Sequence, residues 1–161
     1  MSAASAQRGV TLIELLIVLS IIAVVSALLV PRLQESNARK LKRESERMAL
    51  LLDLARSSAI TGGKSIAFSM GDADYRFWRW NEGNWEMQSE GELRVRTLPE
   101  PLTLGVLSID GVEQSAGQKL VFRPQGISPR FCIVLHSETL KKQVCGSRIG
   151  VVAASSVAGQ P

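Results

Sequence analysis

Glu14 is the only charge between residues 10 and 30 of this chain. An ionised acid inside a membrane helix costs on the order of 3 kcal/mol on insertion scales, so it normally marks a partner or a functional site. The plainer alternative is an acid near a helix end that reaches back to the interface. A cut after Gly9 would favour the first reading: counted from Val10, Glu14 becomes the fifth residue, and a new α-amino group appears at Val10. Positions one and five of a helix face similar directions, and in staggered neighbours the amine of one chain can meet the carboxylate of another. The chemistry would be a register-setting ion pair, not catalysis.

The other candidates are Cys132, Cys145 and His136. The cysteines lie thirteen positions apart (145 minus 132) with no second ligand pair nearby. That spacing fits one disulfide in an oxidising compartment better than a metal site, two reduced structural thiols being the alternative. Zinc needs four ligands, and His136, the only histidine, cannot complete the set. A hydrolytic site needs a nucleophile beside a base, but no Gly-x-Ser-x-Gly, phosphate-cradling glycine loop or metal-ligand cluster is present. Calcium would need a loop of regularly spaced oxygen ligands, which is also missing. The reading is a protein without enzymatic activity, metal or cofactor.

Residues 10–30 must position Glu14. They number 21 counted inclusively, and as a helix rising ~1.5 Å per residue they cover about 30 Å, the depth of a bilayer core. A buried core helix would show a polar face at the 3.6-residue period, and this one has none. Val25-Ser26-Ala27 could pass as a secretory cleavage site, but the apolar stretch runs beyond it and Glu14 interrupts what should be a uniform apolar region. Pro31 should kink a helix that continues past it. Residues 31–62 do read as helix, with Leu41, Met48, Leu51, Leu52 and Ala55 near one stripe and Gly62-Gly63 as the stop.

From residue 64 the texture changes to short runs between turns. Residues 65–70, 75–80, 85–88, 93–97, 102–109, 119–123, 131–136, 143–145 and 148–153 read as strands. The fold class is α+β: a long N-terminal helix, its first half membrane-spanning, packed on an antiparallel β-sheet head. Trp78, Trp80 and Trp85 are read as hairpin core and cross-strand pairs in preference to a carbohydrate or base-stacking platform. The whole chain of 161 residues has 19 basic and 15 acidic residues, a balance of +4 with no long basic run, so nucleic acid is not expected among its partners.

Arg8-Gly9-Val10-Thr11-Leu12-Ile13-Glu14, the apolar run to residue 30 and then Pro31 resemble the leader and transmembrane helix of type IV pilins and type II secretion pseudopilins. The resemblance implies cleavage between Gly9 and Val10 by a prepilin peptidase, N-methylation of Val10, and a filament-assembly role for Glu14. The family usually has Phe where this chain has Val10. Ala55 to Ile60, Asp74-Tyr75-Arg76-Phe77, Leu93 to Pro99 and Phe122-Arg123-Pro124-Gln125-Gly126 further resemble the H-type minor pseudopilins, which share a head family with FimT-like minor pilins.

What this implies is a low-copy subunit near the pseudopilus tip, joining other minor pseudopilins to the major pseudopilin and supporting export of folded proteins across the outer membrane. The expected organisation is a leader (1–9), a transmembrane helix (10–30), its amphipathic extension (31–62), a periplasmic head (63–153) and a flexible tail (154–161), in the bacterial inner membrane. One rule opposes this topology: Arg8 alone precedes the membrane segment, whereas Arg32, Arg39, Lys40, Lys42 and Arg43 follow it. The leader and the cysteine pair point the other way and are given precedence. The alternative is a FimT-like minor pilin of a type IV pilus, with Arg130, Lys141, Lys142 and Arg148 as isolated charges for DNA in natural transformation.

Overall fold

The computed structural model describes residues 12–33, 36–138, 140–150 and 152–156, the side chains of residues 25–33 excepted. The chain divides into two units, Met1–Glu35 and Ser36–Pro161. In the first, Leu12–Leu33 forms α1, which runs through Pro31 for two further residues. A helix satisfies its backbone polar groups internally, which lets so apolar a sequence remain ordered without water as partner. The hydroxyl of Ser20 donates to the carbonyl of Leu16 at 2.8 Å, so α1's polar side chain at that depth is also satisfied within the helix.

The second unit opens with α2, Asn37–Gly62. Ser36 caps it: its extended backbone and side-chain oxygen receive the Arg39 amide, and its carbonyl receives both Arg39 and Lys40 amides. The stretch read as one extended helix from residue 31 is described as two elements, α1 to Leu33 and α2 from Asn37, with the cap at the start of α2. Gly63, at φ 63°, closes α2 in the left-handed conformation that glycine adopts without penalty. Between the caps Leu41, Met48, Leu51, Leu52, Ala55 and Ala59 form the buried stripe.

Among the described residues ten strands follow: β1 (Ile66–Met70), β2 (Asp74–Asn81), β3 (Asn84–Met87), β4 (Arg96–Thr97), β5 (Leu102–Ile109), β6 (Val112–Glu113), β7 (Leu120–Phe122), β8 (Phe131–Ser137), β9 (Leu140–Gly146) and β10 (Val152–Ser156). They make two antiparallel sheets where alternation alone suggests one. The first has the order β3-β2-β1-β7, with β4 also beside β2; the second has the order β10-β9-β8-β5-β6. The two-residue turn Glu82-Gly83, both at positive φ, joins β2 to β3 in the geometry that matches strand twist.

Both sheets turn one face to α2. Phe68, Tyr75, Phe77, Leu120 and Phe122 come from the first sheet, and Leu104, Leu107, Phe131, Ile133, Leu135 and Val144 from the second. Phe122 and Phe131 meet edge to face at 5.9 Å between centroids and so stitch the sheets together. The last strand differs from expectation: β10 runs to Ser156, so Ala154, Ser155 and Ser156, expected in a flexible tail, pair with Val144, Gln143 and Lys142 of β9.

Candidate assembly surface and head

In α1, Glu14 sits in the first turn, where the partial positive charge of the helix start favours an acid. Around it Leu12, Ile13, Leu15, Leu16, Ile17, Val18, Leu19, Ile21, Ile22 and Val24 are all exposed within this chain. Such an apolar surface with a single acid at one end can do two things: lie in lipid, or pack against copies of the same kind of helix. Gly9 and Val10 lie outside the described residues. Among the described residues no helix is long and apolar enough to cross a membrane. The side chains described in α1 stop at Val24, and residues 12–24 reach only about 20 Å as helix.

Cys132 and Cys145 are bonded, at directly opposed positions of β8 and β9, with their Cα atoms 4.1 Å apart. The bridge lies on the outer face of its sheet, since the flanking Phe131, Ile133 and Val144 point into the core. Trp80 and Trp85 are also directly opposed, across β2 and β3, and pack edge to face at 5.1 Å. Trp78 donates from Nε1 to the Ser69 hydroxyl at 2.7 Å and carries the Lys119 ammonium 4.6 Å above its ring. Trp80 and Trp85 thus make the cross-strand aromatic pair read from the sequence, but Trp80 is 41% exposed and none of the three tryptophans joins the buried core.

Of the basic residues singled out for phosphate, Arg148 pairs with Asp110 at 3.5 Å. Lys141 and Lys142 belong to β9 instead. His136 lies against Gly105 on β5, and among the described residues no group of three or more His, Cys, Asp and Glu could hold an ion.

Sequence reading missed the anchoring of α2. Glu44 is buried at its start, 3.1 Å from Arg47 and 3.5 Å from Arg43. Farther along, Arg56 donates to the carbonyl of Gly126 at 2.9 Å, tying α2 to the loop between β7 and β8. The Arg56 contact is not visible in the sequence because the two groups it joins lie 70 residues apart.

Residues 4–30 match the prokaryotic N-terminal methylation motif, and residues 44–150, more than half of the chain, match the family described as type II transport protein GspH. The chain belongs to the GspH family. Two fimbrial proteins of Pseudomonas aeruginosa are each 38% identical to it over 72 residues, or 45% of this chain and 47% of the relative. The GspH-family chain thus spans about half the length of those relatives. Two solved structures of the minor pseudopilin EpsH from the type II secretion system of Vibrio cholerae share its fold. One gives a TM-score of 0.63 at 15% identity over 76% of this chain and 99% of EpsH; the other gives 0.66 at 16% identity over 78% and 100%. This GspH-family protein therefore has the fold of those minor pseudopilins.

Proposed function

We propose that this chain is a minor pseudopilin of a type II secretion system, a structural and non-enzymatic subunit of the pseudopilus. The observation that carries the reading is the union, in one chain, of a methylation motif at residues 4–30 and a GspH head at 44–150. Prepilin peptidase removes residues 1–9, cutting between Gly9 and Val10, and Val10 becomes the N-methylated first residue. Residues 10–30 hold the chain in the inner membrane with the head in the periplasm, and Pro31 is where the helix bends. Glu14 then meets the amine of a neighbouring subunit in the filament. The subunit sits near the pseudopilus tip, between other minor pseudopilins and the major pseudopilin, and supports export of folded proteins. The formed Cys132–Cys145 bond suits a periplasmic head.

The test is mass spectrometry of the N-terminus of protein recovered from membranes of a host with a prepilin peptidase. A chain beginning at methylated Val10 supports the reading; an uncut Met1 or a start at Leu28 overturns it. The stretch shared with fimbrial proteins favours a second reading, a FimT-like minor pilin of a type IV pilus. Deleting the protein separates the two: loss of secretion with pili intact supports the first, and loss of pili with secretion intact supports the second.

A further inference from the structure

We propose that the head carries a docking site for an extended acidic segment of a partner protein, at the free edge of β7. A cavity of about 440 Å³ opens there, lined by Lys119, Val121, Arg123, Ile127, Ser128 and Arg148, with Asp110 at its wall. Lys119, Arg123 and Arg148 lie apart in sequence, and the fold gathers them: β7 carries Lys119 and Arg123 at its two ends, and the loop after β9 brings in Arg148. Asp110 pairs with Arg148 and accepts the Arg130 amide at 3.2 Å, so the cavity wall holds three cations against one acid that is already engaged.

A second observation points the same way. Ser128, a further lining residue, is buried, and its hydroxyl has no hydrogen-bond partner among the described residues. A hydroxyl donor left without an acceptor beside three cations suits a carboxylate, which accepts charge-assisted hydrogen bonds from both kinds of group.

Two features favour a polypeptide over a nucleic acid. Among the described strands β7 pairs with β1 alone, so its other edge is open to an added strand, and only a polypeptide backbone can extend a sheet. The cavity is also small and partly apolar, with Val121 and Ile127 in its lining. An extended segment would place every second side chain on the cavity side, so one acid enters while its apolar neighbours cover Val121 and Ile127.

The experiment uses the full chain in neutral detergent, titrated calorimetrically with a short blocked peptide of alternating valine and glutamate. Its glutamine counterpart, the same peptide with methylated backbone nitrogens, and a mixed-sequence single-stranded oligonucleotide are the comparisons. The glutamate peptide should bind, and the other two peptides should not. Arg123→Ala combined with Lys119→Ala should weaken binding by about tenfold or more, whereas Lys141→Ala with Lys142→Ala, on a different strand, should leave it unchanged. Because Lys119 also covers Trp78, Arg123→Ala alone serves as the second variant, at an exposed position, and should still weaken binding measurably. Equal binding of the glutamate and glutamine peptides, or no binding of either, overturns the proposal. So does tighter binding of the oligonucleotide that is lost with Arg123, which would make the cavity a phosphate site.

Discussion

Cys132 and Cys145 join two strands that already pair along their whole length, from Phe131 opposite Gly146 to Ser137 opposite Leu140. The bond therefore adds little to native contacts and acts through the unfolded chain, where it closes a loop of sequence separation 13. For a loop of that size the chain-entropy account gives about 3 kcal/mol. We expect Cys132→Ser with Cys145→Ser to lower the urea midpoint of the head by an equivalent amount while leaving it folded. An unchanged midpoint would show that the denatured ensemble already keeps this hairpin closed.

Tyr75 gives a prediction with a sign. It is the only tyrosine in the chain, it is buried, and its hydroxyl finds no hydrogen-bond partner among the described residues. Burial pushes its pKa from 10.0 up to about 12, with the nearby Arg96 opposing. The folded state thus keeps the proton to higher pH than the unfolded chain does. The resulting stability is whole below about pH 10 and is lost as pH rises through 12, to a total on the order of 3 kcal/mol. Alkaline unfolding should be steep over that window, and the tyrosinate absorbance should rise with loss of structure, not before it. Tyr75→Phe should flatten the pH dependence and cost little at neutral pH, since no hydrogen bond is removed. Tyrosinate formation in the intact fold near pH 10 would contradict this.

Gly105 and His136 form a coupled pair. The register between β5 and β8 shifts between Leu104 and Leu107, and in that irregularity the His136 ring lies where a side chain on Gly105 would go. We expect Gly105→Ala to destabilise the head by about 1–3 kcal/mol through overpacking. The same substitution in a His136→Ala background should cost clearly less, because the atoms it meets are gone. Additive costs in the double-mutant cycle would place the strain in the backbone instead.

How far the sequence reveals this molecule depends on the range of the interactions involved. Tyr75 and Phe77 alternate with Arg76 because one face of β2 is the core face, and the structure buries both aromatics and leaves Arg76 exposed. The buried stripe of α2 and the Cys132–Cys145 pair are legible for the same local reason. The division into two sheets is not, because it depends on Ile66 pairing with Phe122 across more than fifty residues. β6 has only two residues, too few for any alternation. β10 falls later than expected because Gly150, at φ 99°, keeps the chain turning before the strand begins, and the small residues Ala154, Ser155 and Ser156 carry no apolar signal. The cavity of Lys119, Arg123 and Arg148 is likewise a product of tertiary folding, visible in sequence only as scattered charge.

Glu14 carries the last prediction. It lies in the first turn of α1, amid exposed Leu12, Ile13, Leu15 and Leu16, and in a unit separate from the head. A change there should therefore leave the head's melting temperature untouched. Glu14→Gln keeps the size and hydrogen-bonding reach of the side chain and removes the charge, so it isolates the ion pair proposed with a neighbouring subunit's Val10 amine. Membrane insertion should become easier, since a neutral amide is less costly in lipid than an ionised acid. Incorporation into filaments should nevertheless fall by about tenfold or more, the loss expected for one charge-assisted pair away from water. Sheared filaments from cells carrying either form, compared by immunoblot against total protein, give the ratio directly. Equal incorporation of the two forms would show that apolar packing alone sets the register and that Glu14 serves the membrane interface.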